Sequence, residues 1–91
     1  MKYYSTPSFI RRFKKLDSNR KKIVNDAIRK VLDLYNIGLN PKGLGLKQLR
    51  TNLWEIRSSL QERILFSFDN DTIRFTLIGD HDEIRRFLKN L

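Results

Sequence analysis

Leu44 to His81 reads LGLKQLRTNLWEIRSSLQERILFSFDNDTIRFTLIGDH. Three runs inside it alternate apolar with polar residues: Leu53-Trp54-Glu55-Ile56-Arg57, Arg63-Ile64-Leu65-Phe66-Ser67-Phe68 and Ile73-Arg74-Phe75-Thr76-Leu77-Ile78. A period of two belongs to strands with two unlike faces. Ser58 to Glu62 and Asp69-Asn70-Asp71-Thr72 separate the runs with residue types that favour turns, so the strands pair as an antiparallel meander. Leu46 to Arg50 supplies a fourth strand, turned onto the Trp54 run through Thr51-Asn52.

Alternation kept throughout puts Trp54, Ile56, Ile64, Phe66, Phe68, Ile73, Phe75 and Leu77 on one face, which needs an apolar cover. The other face carries Glu55, Arg57, Arg63, Ser67, Arg74 and Thr76, with Leu53, Leu65 and Ile78 as its apolar minority. Three arginines therefore share a face. Solvated charge on an open sheet is the common fate of an exposed arginine, while a guanidinium cluster is also the arrangement that binds phosphate bidentately. Spacing alone favours the solvated reading, with the phosphate-binding cluster as the alternative.

The cover comes from the N-terminal side. Lys2-Tyr3-Tyr4-Ser5 is a short β-prone segment suited to an edge strand. Thr6-Pro7 is an N-cap followed by proline at the first helical position, and Phe9, Ile10, Phe13 and Leu16 follow at helical spacing, so a helix is expected from Pro7 to Leu16. Asp17-Ser18-Asn19 breaks it. A longer helix then runs from Arg20, with Ile23, Val24, Ala27, Ile28, Val31, Leu34 and Tyr35 on its apolar side. Gly38 is the expected C-cap, Asn40-Pro41 bars continuation, and Leu39 to Gly45 is a reversing loop without a phosphate-binding glycine fingerprint. After Gly79-Asp80, His81-Asp82-Glu83 opens a last helix with Ile84, Phe87, Leu88 and Leu91 at apolar spacing and acidic residues at its start. The reading is a single α+β domain over residues 1–91: a helix hairpin on a small antiparallel sheet, closed by a short C-terminal helix.

Composition bounds the function. Ninety-one residues with 40% apolar content make one small core. Cysteine is absent and histidine occurs once, which removes disulfides, a thiol nucleophile and a multi-histidine metal site together. No metal or cofactor is expected. No run has the length of a membrane span, and MKYYSTPSF lacks the apolar stretch of a signal peptide, so a cytoplasmic protein is expected. The net charge of +9 is uneven: residues 1 to 54 hold 13 Lys/Arg against 3 Asp/Glu, and residues 55 to 91 hold 6 against 7. Such a field attracts polyanions or an acidic protein. Lys14, Lys15, Arg20, Lys21 and Lys22 cluster at the helix bend, although each taken singly is an ordinary solvated helix-face charge.

The order strand, helix pair, meander, C-terminal helix, together with Leu46-Lys47-Gln48-Leu49-Arg50, Trp54-Glu55-Ile56-Arg57, Arg63-Ile64-Leu65-Phe66 and Ile78-Gly79-Asp80-His81-Asp82, resembles the RelE/ParE superfamily of toxin-antitoxin toxins over nearly the whole chain. That resemblance implies an activity and a set of site residues. RelE-like toxins cut mRNA in the ribosomal A site without metal, with the RNA 2′-hydroxyl as nucleophile and a 2′,3′-cyclic phosphate as product. The reaction needs a proton acceptor, cations at the phosphorane-like transition state and an acid for the leaving oxygen. Arg57 and Arg63 stand where the family places basic residues and are the expected phosphate ligands. His81 falls where the family has arginine, and since YafQ-like and HigB-like relatives use His and Asp, His81 with Asp82 is the expected proton-transfer pair; a helix-capping surface histidine is the plain alternative. Glu55 replaces a lysine, which removes a cation, supplies a carboxylate base, or leaves a surface glutamate. Phe87 stands where a tyrosine would and fits core packing better.

With RNA as substrate, Lys14, Lys15, Arg20, Lys21, Lys22, Lys47, Arg50 and Arg74 are the expected contacts. The implied partners are mRNA, the ribosome and a small acidic antitoxin bound by an amphipathic helix or strand. A ParE-like inhibitor of DNA gyrase, or a basic binding module without catalysis, are the alternatives on the same fold. Convergence of Arg57, Arg63 and His81 on one pocket favours the nuclease; their dispersal favours the others.

Overall fold

A computed structural model describes residues 2–38 and 45–91. Eight elements follow in order: β1 (Lys2–Ser5), α1 (Pro7–Lys14), α2 (Ser18–Ile37), β2 (Lys47–Arg50), β3 (Leu53–Arg57), β4 (Arg63–Asp69), β5 (Thr72–Gly79) and α3 (His81–Lys89). Most of the loop read at Leu39 to Gly45, including Asn40-Pro41, lies outside the described residues.

Turn chemistry sets the helix ends. The Thr6 hydroxyl accepts from the Phe9 N–H at 3.3 Å and donates to the Thr76 carbonyl at 2.8 Å, and Pro7 opens α1. The helix stops at Lys14, two residues earlier than its apolar spacing implies, while Leu16 is still buried. Asp17 is the N-cap of α2, accepting from the Arg20 N–H at 2.8 Å, so the polar break is itself the start signal. Gly38 at φ +71° donates to the Leu34 carbonyl as the expected left-handed C-cap.

The five strands form one sheet in the order β1-β5-β4-β3-β2. β2 to β5 pair antiparallel in sequence, but β1 lies parallel to β5, so the sheet is mixed rather than a pure meander. A parallel neighbour needs a long crossover, and here everything between β1 and β5 supplies it. The β4–β5 hairpin turns on Asn70 and Asp71, whose φ values of 50° and 62° suit a two-residue primed turn.

Phe9, Leu16, Val24, Ala27 and Val31 pack against Ile56, Ile64, Phe66, Ile73, Phe75 and Ile78, with Trp54 and Phe68 half-buried at the margin. Ile78 in place of Leu77 corrects the expected face. Leu65 pairs with Leu77 and Phe66 with Phe75, so Thr76 is an extra residue in β5. A one-residue bulge moves every later side chain to the opposite face. The Thr6 hydrogen bond is made to the carbonyl of this bulged residue.

The second face is open only in part: Arg57 and Arg74 are exposed on it, as the solvated reading has them, while Arg63 is half-buried. α3 packs against β4 and β5 there. Leu65 is fully buried outside the main core, and Ile84 of α3 is 2% exposed.

Candidate functional site

Between α3 and the β2–β3–β4 part of this second face lies a groove of about 410 Å³. The strand register builds its floor. Arg57 of β3 sits directly opposite Arg63 of β4, and one pleat along the same face Lys47, Glu55 and Leu65 form a row across β2, β3 and β4. Gly45 backs onto Arg57 at φ +66°; a Cβ there would come within 3.1 Å of the Arg57 Cβ, so a bare backbone lets the loop approach.

α3 supplies the wall. Asp80 caps it, accepting from the Glu83 N–H at 2.8 Å while Glu83 accepts from the Asp80 N–H at 3.2 Å. This is a reciprocal capping box. Glu83 is also ion-paired with Arg12 of α1, tying the start of α3 to the opposite layer. The first residue of the helix so fixed is His81, and one turn on is Arg85; both line the groove, with Ile84 and Leu88 as the apolar part of the wall.

Lys47, Arg57, Arg63 and Arg85 are four basic side chains lining a groove with one carboxylate. That carboxylate, Glu55, is 6% exposed and accepts from Arg63 Nη1 at 3.3 Å. Its burial and bond exclude the surface reading of Glu55. Arg63 itself is mostly covered, and its Nε is buried with no hydrogen-bond partner among the described residues. Arg57, by contrast, is exposed. Cations held on strands over a partly apolar wall suit a phosphodiester, and the imidazole of His81 beside them is a side chain that can carry a proton.

Of the expected catalytic residues, Arg57, Arg63 and His81 are brought together. Asp82 does not line this groove; it faces an adjoining hollow of about 260 Å³ with Gln61 and Asp80, a hollow that Arg63 and His81 also border. Among the expected RNA contacts, Lys47 alone lines the groove. Arg74 pairs with Ser67, four residues along β4 from Arg63 and so about 13 Å away at strand rise. Arg50 is exposed and donates to the Leu49 carbonyl at 2.8 Å.

The helix-bend cations belong to the other layer. Arg20 is committed to Glu62 through Nε at 3.2 Å and Nη2 at 2.5 Å, and this bond, then the carboxylate charge, raises its guanidinium pKa. Lys14 and Lys21 border an apolar hollow of about 320 Å³ with Phe9, Ile10 and Phe13, and Lys21 Nζ lies 5.9 Å from the centre of the Phe13 ring. Lys15 and Lys22 are exposed. Arg85 was not among the expected site residues. Its position four residues after His81 on an amphipathic helix is the signal that finds it, hidden when the helix is read for apolar spacing alone.

No family model matches the sequence, and no curated protein matches it. Solved structures do match. A chain of the RelB-RelE antitoxin-toxin complex from Methanococcus jannaschii is similar at TM-score 0.66 and 18% identity, over 91% of this chain and 95% of that one. The YoeB dimer from Staphylococcus aureus gives 0.69 and 15%, over 89% and 97%. YafQ from E. coli gives 0.64 and 15%, over 90% and 94%. At these identities the likeness is one of fold: the chain has the α+β fold of the RelE, YoeB and YafQ toxins.

Proposed function

We propose that this chain is the toxin of a type II toxin-antitoxin pair and acts as a metal-independent endoribonuclease on ribosome-bound mRNA. The observation that carries the reading is the convergence of Arg57, Arg63 and His81 on one groove. Dispersed cations would have suited a passive binding surface.

The chemistry fits the residues present. The 2′-oxygen of the RNA attacks the adjacent phosphorus, its proton passes to an acceptor, the P–O5′ bond breaks, and the departing 5′-oxygen takes up a proton. The products are a 2′,3′-cyclic phosphate and a 5′-hydroxyl. Arg57 and Arg63 hold the non-bridging oxygens as charge builds on them, with Lys47 and Arg85 adding to the field. His81 moves a proton, as its place at the groove rim allows. Asp82 borders the adjoining hollow together with Arg63 and His81, and its part in the proton transfer rests on the resemblance alone. Ribosome dependence rests on the resemblance to RelE. The acidic antitoxin partner rests on the net charge of +9 and on the similarity to chains of the RelB-RelE and YoeB-YefM complexes.

The test is induction in cells lacking the partner, with new mRNA 5′ ends mapped for wild type and Arg57→Ala. Growth arrest with codon-phased cuts in wild type, both lost in the variant, is the expected result. Arrest without cuts, accompanied by DNA-damage signalling, would move the chain to gyrase inhibition.

A further inference from the structure

Glu55 is the only carboxylate among the described residues that line the groove. An anion beside four cations weakens a phosphate site by simple electrostatics, and burying it removes the water that would screen the loss. Its presence therefore calls for a compensating role, and the contacts supply one.

Glu55 is held in the middle of β3, with Lys47 across from it on β2 and the fully buried Leu65 across from it on β4. From this rigid seat it takes one hydrogen bond from Arg63, at Nη1. A guanidinium on a flexible stem sweeps a wide volume unless something fixes it. With Nη1 engaged, the edge made by Nε and Nη2 is left as a two-pronged donor, and Nε is the buried nitrogen with no partner among the described residues. A phosphate offers two non-bridging oxygens spaced for such a fork.

We propose that Glu55 is a positioning residue: by holding Nη1 of Arg63 it fixes the guanidinium so that the Nε–Nη2 edge receives the scissile phosphate. The inference rests on the nuclease reading of the same groove. Proton acceptance by Glu55 is the competing role, and the two separate on substitution. Glu55→Gln keeps an oxygen able to accept from Arg63 but has no useful basicity; Glu55→Ala keeps neither.

Two measurements decide it on variants whose melts show them folded. In a cleavage assay on programmed ribosomes, Glu55→Ala is expected to lower kcat by about 20-fold or more with KM changed less than about 3-fold, since misplacement of a transition-state ligand costs rate rather than binding. Glu55→Gln is expected to return most of that loss and to leave the pH–rate profile unchanged. Glu55→Gln as inactive as Glu55→Ala, with the low-pH limb of the profile gone, would overturn positioning in favour of proton acceptance; full activity of Glu55→Ala would overturn it outright. The second measurement is independent of cleavage: the Arg63 Nε–H cross-peak followed by NMR during titration with inorganic phosphate. A resolved peak that shifts with phosphate in wild type and Glu55→Gln, but merges with the mobile arginines in Glu55→Ala, is expected. The same peak resolved in Glu55→Ala would contradict the hold. If wild type cleaves no RNA, the nuclease reading fails, while the NMR result still decides whether Glu55 fixes Arg63.

Discussion

Truncating Arg63 takes away a groove cation and also strands Glu55, whose side chain is 7% exposed and bonded to it. A buried carboxylate left without its partner costs on the order of 2–4 kcal/mol. Arg57, exposed and directly opposite on β3, carries no such debt. Urea unfolding is therefore expected to show Arg63→Ala destabilised by about that amount and Arg57→Ala within about 0.5 kcal/mol of wild type; equal midpoints for the two would contradict the buried pair. Tyr35 gives a second residue-level test. It stacks on Phe68 at 4.3 Å between centroids, and burial raises its hydroxyl above the ordinary value of 10.0. The folded state thus holds the proton more firmly than the unfolded chain, so the contribution is intact below about pH 10 and is lost as pH rises through the folded value. Unfolding midpoints measured from pH 8 to 11 should fall less steeply for Tyr35→Phe than for wild type. Alternation makes the shared face of Arg57 and Arg63 legible in the sequence. It cannot reveal that Glu55 bonds Arg63, because period two assigns a face and not a partner.

Among the elements, β5 departs furthest from its expected pattern. Thr6 bonds to the bulged Thr76 carbonyl, and beyond that point Ile78 enters the main core while Leu77 faces the α3 side. Ile78→Ala should cost about 2–5 kcal/mol and Leu77→Ala clearly less, measured by chemical denaturation; the reverse order would mean that the strand runs in unbroken register. The strands, the proline-opened α1 and the Gly38 stop are legible because each has a local cause in turn chemistry or periodicity. The bulge is not: period two carries no mark of it, and the bond that Thr6 makes to its carbonyl joins residues 70 positions apart. Packing of α3 over β4 and β5 is hidden for the same reason: its apolar stripe specifies that it packs, not on which face.

At the scale of the molecule, the two basic regions lie on opposite layers. Lys14 and Lys21 of the helix bend line an apolar hollow beside α1 and α2, and the groove cations converge beneath α3. Net charge drawn from the sequence reports their sum and cannot separate them, so the residues expected to serve one RNA surface are dispersed: Lys47 lies in the groove, Lys14 and Lys21 at the hollow, and Arg50 and Arg74 at neither. No described helix is long and apolar enough to cross a membrane. The groove is the part that the proposed reaction needs, and its chemistry leaves a mark on the product. The most direct measurement is the end chemistry of mRNA cut by the purified protein in a reconstituted translation system. Fragments ending in 2′,3′-cyclic phosphate and 5′-hydroxyl, absent with Arg57→Ala, are the expected result. Intact mRNA, or fragments carrying 5′-phosphate, would contradict a groove that activates the RNA's own 2′-hydroxyl.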